Sequence, residues 1–451
     1  MHTWMNFADA FGNRYEFYVA FVGNFLSFFT GVSLAWPIVY DRYWMISIKP
    51  IWYNEMTIDE NLLVYSIFYA GGAVGAILSA FTLKLFGRKL TMLLLATIFS
   101  IIYFMLAFIE DYVVYHTFAL GIAGGSSFTV VPIYISEIVS PKKRGFYMAL
   151  SSVFFSSGWV FSECLTEHVS VKTLFLIIAF SSFFYLPILL LSCPESLYYT
   201  MQKYGSGETL KLLQNLRNSG QEYIELEEIR ICMQDASKNP FLSIFQSDRN
   251  TKSFFICTFI LLIQVFWSPE LFTDYNGMIR INEKVQHYFH YKYFEALKKT
   301  ETTIFVALCV FSLLIAIVSM KVQRKVLLRI SLIGGIIANS VLAHYGYNWS
   351  SENIISISLW TSILFYACGV GTISWVLLGE VFSPNIKPLA ASLSNAIYCI
   401  VSFIILRYSN YEAYTELYIS SGLSLLVLIL SLMLLETNGK SFMEIQKWHL
   451  H

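Results

Sequence analysis

The chain contains 451 residues, of which 56% are hydrophobic and 13% are charged, and its 30 basic and 30 acidic side chains leave no formal net charge. A soluble domain usually carries about 25% charged residues, so this composition excludes an ordinary water-soluble fold and indicates a membrane protein. Without a basic patch there is no support for nucleic-acid binding. No nucleophile–base pair, phosphate-binding loop or set of metal ligands is visible in the sequence, so neither an enzyme nor a cofactor is expected.

Twelve apolar stretches follow one another along the chain, each close to the ~20 residues that a helix needs to cross a bilayer. The first six lie near residues 17–39, 62–84, 91–109, 113–134, 146–166 and 172–192. The second six lie near residues 252–273, 302–320, 327–346, 354–378, 389–406 and 416–435. The polar start of the chain has no basic segment before a short apolar core. The first stretch is therefore predicted to be a retained helix rather than a cleaved signal peptide.

One long polar segment separates the two sets of six stretches. It covers residues 195–250, where Leu213 and Leu216 recur at helical spacing among polar residues. The sequence therefore predicts three parts. They are an N-terminal six-helix bundle at 1–194, a cytoplasmic helical linker at 195–250 and a C-terminal six-helix bundle at 251–451.

The two halves share a motif at the end of their fourth helices. Residues 137–144 read Glu-Ile-Val-Ser-Pro-Lys-Lys-Arg, and residues 380–387 read Glu-Val-Phe-Ser-Pro-Asn-Ile-Lys. Glutamate, serine and proline coincide, and a basic residue ends both copies. A second pair precedes them, with Arg88 in the first half and Arg324 in the second, each followed by a lysine. Parallel repeats of a helix bundle are the architecture of transporters whose halves rock about a central site.

Basic residues concentrate in one set of short loops. They are Lys84, Arg88 and Lys89; Lys142, Lys143 and Arg144; Lys321, Arg324, Lys325 and Arg329; and Lys387. Loops with such an excess of lysine and arginine face the cytoplasm, and with an even number of spans both termini are then cytoplasmic. A glycosylation sequon begins at Asn348 and falls on a predicted outer loop, which makes Asn348 a candidate glycosylation site.

Five short motifs stand in order at the ends of predicted helices. They lie at residues 31–36, 132–137 with 144–145, 194–196, 379–382 and 436–441. Together they resemble the motifs of the sugar porter family of the major facilitator superfamily, and residues 31–36 and 439–445 look most like the trehalose and sugar transporters of insects. The resemblance implies an all-α membrane protein with the major facilitator fold, in which twelve transmembrane helices form two pseudo-symmetric six-helix bundles.

The resemblance also implies a sugar site between the halves that opens to each side in turn. At the predicted cytoplasmic helix ends it implies a gate formed by Arg88, Glu137, Arg144, Glu195, Arg324, Glu380 and Lys387. Ion pairs there can hold the halves together while the inner side is shut, because partly desolvated pairs bias a two-state equilibrium. The alternative is that such residues only orient loops, which is the interpretation favoured for Lys142 and Lys143.

The candidate sugar-binding residues depart from the family pattern. By position they are Gln264, Trp375, Asn395, Ser152 and Glu270. Ser152 stands where the family usually has glutamine, Gln264 is one glutamine of a usual pair, and both prolines that usually precede Trp375 are absent. Sugars need amide or carboxyl groups for their hydroxyls and an aromatic face for their C–H surface, so this set is a reduced version. Glu270 is either a functional acid within helix seven or a water-exposed residue beyond its end at Pro269.

The sequence therefore predicts facilitative transport of a sugar, trehalose or hexose, by alternating access. No acidic residue lies in the middle of the first span, where proton-coupled members of the family place one, so transport without proton coupling is expected. Two alternatives stay open because of the substituted pocket: a non-transporting sugar sensor or receptor, and a transporter of a different small polar solute. The expected partners are the sugar and the lipid bilayer, and the expected location is the plasma membrane.

Overall fold

The described part of the chain is almost entirely helical. The computed structural model describes residues 14–46, 58–109, 112–166, 168–217, 220–234, 240–246, 248–267, 290–348, 352–408, 413–434 and 436–447. Long apolar segments form helices because a helix satisfies all of its backbone hydrogen bonds internally, as a lipid environment requires. Glu270 and the last two residues of the sequon, Trp349 and Ser350, lie outside the described residues.

The first half contains six long helices that coincide with the first six predicted spans. They are α1 (Arg14–Ile46), α2 (Ile58–Leu85), α3 (Gly87–Phe108), α4 (Val113–Ile138), α5 (Arg144–Leu165) and α6 (Val171–Ser192). Helices α2 and α3 are separated by a single residue, and Gly87 turns the chain with φ +82°. Glycine adopts this left-handed conformation without steric penalty, and a Cβ there would lie 2.5 Å from the Glu195 carboxylate.

Four short helices follow the first six. They are α7 (Leu197–Tyr204), α8 (Ser206–Arg217), α9 (Glu222–Gln234) and α10 (Pro240–Gln246). Leu213 and Leu216 are fully buried, so the apolar side of α8 packs against the rest of the molecule. At the end of α8 the Arg217 guanidinium lies 2.9 Å from Glu225 and 3.5 Å from Glu16 at the start of α1. These ion pairs tie the short helices to the first long helix.

The second half repeats the pattern of long helices. They are α11 (Asp248–Phe266), α12 (His290–Val318), α13 (Arg324–Asn348), α14 (Glu352–Phe365), α15 (Ile373–Glu380), α16 (Lys387–Tyr408) and α17 (Ala413–Leu430), and a short α18 (Phe442–Lys447) follows. The sequence predicts a single span near 354–378, but the structure divides it. A π-helical turn, Tyr366–Val370, separates α14 from α15.

Length and hydropathy confirm the predicted set of membrane spans. Nine helices in the described residues are long and apolar enough to cross a membrane, and three shorter apolar helices accompany them at Asn250–Phe266, Thr302–Val318 and Thr415–Leu430. With α14, the π turn and α15 counted as one span, these are the twelve predicted helices.

Two helix pairs join the halves along their length. Between α2 and α16, the hydroxyl oxygens of Ser79 and Ser392 are 2.9 Å apart. Between α5 and α12, the Trp159 and Phe305 rings stack with centroids 4.1 Å apart at an angle of 10°. Small polar contacts and stacked rings suit helix pairs in lipid, where packing replaces the hydrophobic effect as the driving force for association.

Candidate functional site

A central cavity lies between the two halves. It is lined by Ser27, Leu34, Ser127, Phe128, Pro132, Ser151, Ser152, Phe155 and Ser156 from the first half, and by Gln264, Phe305, Leu308, Ser312, Tyr366, Ala367, Gly371, Trp375 and Tyr398 from the second. Its volume is about 70 Å³, enough for a few ordered waters and well below the ~300–1,000 Å³ of typical ligand pockets. The cavity therefore has no room for a sugar in this conformation.

Aromatic rings from both halves meet at this cavity. The Trp375 indole stacks on the Phe128 ring of α4 with centroids 4.7 Å apart at 13°. The Tyr398 ring of α16 stands edge-on to the indole at 6.1 Å. Trp375 is only 8% exposed, so its ring is held in place at the cavity wall by its aromatic neighbours.

The π-helical turn interrupts the helix at the wall of the cavity. Tyr366–Val370 interrupts the regular hydrogen bonding of the span, which leaves carbonyl groups without their usual helical donors. The Ser331 hydroxyl of α13 donates to the Phe365 carbonyl at 2.6 Å and accepts the Val370 N–H at 3.1 Å. Broken backbone at membrane depth is tolerated where protein groups satisfy it and a cavity adjoins it. The missing prolines therefore do not prevent a break in this helix.

Two predicted sugar-binding side chains are bound to this broken backbone. The Gln264 amide nitrogen donates to the Val370 carbonyl at 2.5 Å. The Ser152 hydroxyl of α5 donates to the Gly371 carbonyl at 3.2 Å, across the boundary between the halves. Both side chains line the cavity, and in this conformation these two donors are engaged by the protein itself.

The structure places Asn395 away from the cavity lining. Its amide nitrogen, fully buried, donates to the Gly125 carbonyl at 2.7 Å and to the Thr129 hydroxyl at 3.0 Å. Both acceptors belong to α4, so Asn395 ties α16 to the opposite half. Leu308 of α12 lines the cavity and contributes only apolar surface.

Sequence reasoning missed a set of small polar residues around the cavity. They are Ser27, Ser127, Ser151, Ser156 and Ser312, with Tyr366 and Tyr398. The hydroxyls of Ser127, Ser151 and Ser156 donate to carbonyls of their own helices. The recurrence of serine on α5 was the available signal, because Ser152 and Ser156 lie one helical turn apart and therefore on one face.

The predicted gate residues gather at one end of the bundle. This end carries Arg88, Arg144, Arg324 and Lys387 and is called the basic end below. Arg88 pairs with Glu137 at 2.8 Å, with both side chains at most 5% exposed. In the second half, Arg324 pairs with Glu380 at 3.4 Å, with both side chains 1% exposed. The repeated sequence motifs thus produce the same buried ion pair twice.

A second repeated contact caps the N-terminus of the helix that carries each of these arginines. The Glu195 carboxylate accepts the backbone N–H of Arg88 at 2.8 Å, and Glu436 accepts that of Arg324 at 3.0 Å. A carboxylate at a helix N-terminus is favourable because it meets unpaired N–H groups and the positive end of the helix dipole. Burial raises the pKa of Glu195, while hydrogen bonds from Ser196 and from the helix N-terminus oppose that shift. Glu436 was not among the predicted gate residues.

Phe442 of α18 joins the halves at the basic end. The Arg144 guanidinium of the first half lies 4.0 Å from the centre of the Phe442 ring, and the Lys387 ammonium lies 3.5 Å from it. The ring is 2% exposed, and the Tyr198 ring packs edge-on against it at 5.5 Å. A cation held over a desolvated aromatic face is attracted by about 2 kcal/mol, so this ring offsets the repulsion between two neighbouring cations.

Further contacts close the basic end directly. The Lys387 ammonium donates to the Ser136 hydroxyl of α4 at 3.2 Å, and the Arg144 guanidinium donates to the Lys440 carbonyl at 3.3 Å. The Arg324 guanidinium lies against Gly145, where an added Cβ would be 2.1 Å from its Nη2 atom. Glycine at this position therefore permits the second half to approach the start of α5.

Comparison with known proteins identifies the family. The profile of the family described as "Sugar (and other) transporter" matches residues 17–448. The chain belongs to this family. Sugar transporter ERD6-like 2 of Arabidopsis thaliana is 26% identical over 410 residues, which cover 87% of this chain and 86% of that protein. The facilitated trehalose transporter Tret1 of Apis mellifera ligustica is 22% identical over 431 residues, covering 87% and 80%.

Solved structures show that the transporter has the major facilitator fold. The xylose symporter XylE bound to 6-bromo-6-deoxy-D-glucose superposes with a TM-score of 0.83 at 16% identity, covering 97% of this chain and 99% of that one. XylE from E. coli in its inward-open conformation gives a TM-score of 0.64 at 18% identity, covering 96% and 99%. The predicted fold class is thereby confirmed.

Proposed function

We propose that the transporter carries a sugar, trehalose or a hexose, across the membrane by alternating access. The observation that carries this proposal is a cavity lined by both halves and closed at the basic end by contacts that cross between them. Family membership supports a sugar as the substrate class, and a relative named as a trehalose transporter supports trehalose. Plasma-membrane location and cytoplasmic termini, with Asn348 as an outer glycosylation site, belong to the same proposal.

Opening of the basic end requires every contact across it to separate. Arg324 must leave Gly145, Lys387 must leave Ser136, and Arg144 must leave Phe442. The ion pairs within each half can persist, because each joins helices of one bundle. A sugar enters from the opposite side while the basic end is still closed, and the Gln264 amide and Ser152 hydroxyl exchange carbonyl partners for sugar hydroxyls. Such an exchange costs little, since one hydrogen bond replaces another. The sugar leaves when the basic end opens.

Transport without proton coupling fits the described cavity. Among the described residues, none of those lining it is an aspartate or a glutamate. The acid at the start of α1, Glu16, lies instead at the basic end, where it accepts the Ser140 N–H at 2.6 Å and pairs with Arg217. An intramembrane acid is the usual proton carrier in coupled transporters, and the described cavity wall offers none.

A second candidate is a sensor or receptor that binds a sugar without transporting it. The small cavity volume and the engagement of Gln264 and Ser152 by backbone carbonyls favour this alternative. A transporter of another small polar solute would share the same geometry. Passage of labelled sugar across the membrane distinguishes the sugar transporter from the other two possibilities.

Uptake of radiolabelled glucose and trehalose into oocytes tests the proposal. Wild type should give saturable uptake, and Trp375→Ala should reduce it at least about tenfold, equivalent to ~1.4 kcal/mol, because the flat face of the sugar site is lost. Trp360→Ala is the matched control, since Trp360 is 37% exposed on the outside of the bundle. Surface labelling must show equal amounts of each variant. Absence of glucose and trehalose uptake by well-expressed wild type would contradict the proposal.

A second prediction concerns the aromatic contact at the basic end. Phe442→Leu keeps an apolar side chain but removes the attraction for Arg144 of the opposite half, which we expect to favour the open basic end by ~2 kcal/mol. Cys232 of α9 reports the change, because it is buried and its carbonyl accepts the Asn385 amide of the second half at 3.0 Å. Alkylation of Cys232, followed by mass spectrometry, should therefore accelerate at least about tenfold. An unchanged rate would mean that Phe442 only fills space.

A further inference from the structure

An apolar groove opens between α1, α5 and α12 beside the basic end. Its volume is about 370 Å³, and Ser157 is the one polar residue among those that line it. The lining includes Phe17 of α1, Phe146 of α5 and Met320, two residues after α12. Helices α1 and α5 belong to the first half and α12 to the second, so the groove crosses the boundary between the halves. It is separate from the central cavity described above.

The depth of the groove matches one leaflet of a bilayer. Its lining on α5 runs from Phe146, two residues after the helix begins, to Ser157. Eleven residues of helix rise about 16 Å at ~1.5 Å per residue, which is about half of the ~30 Å hydrocarbon core. The groove therefore extends from the basic end to the middle of the membrane, the region occupied by the acyl chains of one leaflet.

Four basic residues surround the mouth of the groove. Arg14 lies one helical turn before Phe17, Lys143 lies one turn before Phe146 with Lys142 next to it, and Lys321 follows Met320. Arg14, Lys142 and Lys321 are exposed, and none of the four forms an ion pair with another described residue. The nearby acid Glu16 is already paired with Arg217. Uncompensated cations above an apolar groove complement a phosphate group above an acyl chain.

We propose that this groove binds one acyl chain of an anionic phospholipid, whose headgroup phosphate lies among Arg14, Lys142, Lys143 and Lys321. The lipid would thereby contact both halves and stabilise the conformation in which the basic end is closed. Rocking of the halves moves α5 relative to α12 and so reshapes the groove. Lipid composition would then regulate the conformational equilibrium.

Thermal unfolding of the purified full chain in detergent, titrated with lipid, tests this site. Phosphatidylserine should raise the unfolding midpoint at lower concentration than phosphatidylcholine with the same acyl chains. Lys142→Gln/Lys143→Gln should raise the half-saturating phosphatidylserine concentration more than about tenfold, since each basic residue near an anionic headgroup contributes roughly fivefold. Leu313→Trp, which fills the groove, should weaken the response to both lipids and thereby test the acyl-chain contact.

The matched control is Lys211→Gln, which removes an exposed lysine from the short helices, where it pairs with Glu208 at 2.7 Å. It should respond to phosphatidylserine as wild type does.

Equal responses of wild type to the two lipids would overturn the proposal, as would a double-lysine variant with the wild-type response. An undiminished response of Leu313→Trp would also overturn it, because the chain would then bind elsewhere.

Discussion

Glu380→Gln is expected to abolish uptake and to lower the free energy of unfolding by about 3–5 kcal/mol, because it leaves a buried arginine without its counter-charge. Arg324 and Glu380 are each 1% exposed and lie 3.4 Å apart. The Glu380 carboxylate also accepts the Thr437 hydroxyl at 2.6 Å, so the pair links the start of α13 and the end of α15 to the segment between α17 and α18. The thermal unfolding midpoint in detergent, read by intrinsic fluorescence, and sugar uptake in oocytes check this expectation together.

A matched control and a double variant separate charge from shape in this prediction. Glu208→Gln removes an acid from an exposed pair, whose side chains are 57% and 71% exposed. We expect it to change stability by less than ~1 kcal/mol. Arg324→Met/Glu380→Gln removes both charges and should recover part of the lost stability, since replacing a buried pair as a whole is often nearly neutral. If the double variant is no more stable than Glu380→Gln, the unpaired buried charge of Arg324 is not the cause of the lost stability.

Much of the fold could be predicted from hydropathy and repetition. An apolar stretch of membrane-spanning length has almost no alternative to a helix in lipid, which explains why all twelve spans coincide with apolar helices. The repeated Glu-x-x-Ser-Pro motif located Glu137 and Glu380, and the structure brings them to Arg88 and Arg324 in the same way. Local sequence carried this information because both partners stand in short motifs.

The π-helical turn and the role of Phe442 could not be predicted in this way. The turn lies inside one unbroken apolar stretch, and its cause is tertiary, because Ser331, Gln264 and Ser152 bind backbone carbonyls in it and next to it from other helices. Phe442 stands in a polar segment after the last long helix, where a single aromatic residue gives no periodic signal. Its partners, Arg144 and Lys387, are distant in sequence and meet it only in the folded protein.

The central site was predicted in outline rather than in contacts. Gln264, Trp375 and Ser152, which the sequence names as candidate sugar-binding residues, line the cavity, but the sequence could not reveal which groups they bind. Asn395 lies about one helical turn before the cavity-lining Tyr398, and the two side chains are only about 60° apart around the helix axis. The Asn395 amide nevertheless binds Gly125 and Thr129 of α4, a tertiary contact that helix spacing alone does not reveal.

Gly145→Ala is expected to hold the basic end open, with uptake reduced at least about tenfold. The added Cβ would lie 2.1 Å from Arg324 Nη2 and 2.5 Å from its Cζ. Arg324 cannot easily withdraw, because its guanidinium is buried and also donates to the Ser319 carbonyl at 2.8 Å. Overpacking of this kind costs about 1–3 kcal/mol. Since the cost falls only on the closed conformation, the equilibrium should move about 5–150-fold towards the open one.

Hydrogen–deuterium exchange distinguishes this shift from simple misfolding. In Gly145→Ala, backbone amides near residues 140–150 and 383–390 should exchange faster, while those in the middle of α2 and α4 keep wild-type protection. Gly207→Ala is the matched control, because a Cβ at Gly207 meets no atom within 4 Å, and it should leave exchange and uptake unchanged. Gly158→Ala is a second comparison, since its Cβ would lie 2.1 Å from the Phe28 carbonyl within the first half. Gly158→Ala should destabilise the first half in both conformations. Faster exchange that is confined to the basic end is therefore expected only for a substitution where the halves meet, as in Gly145→Ala. Wild-type exchange and uptake in Gly145→Ala would show that closure of the basic end does not depend on the close contact between Arg324 and Gly145.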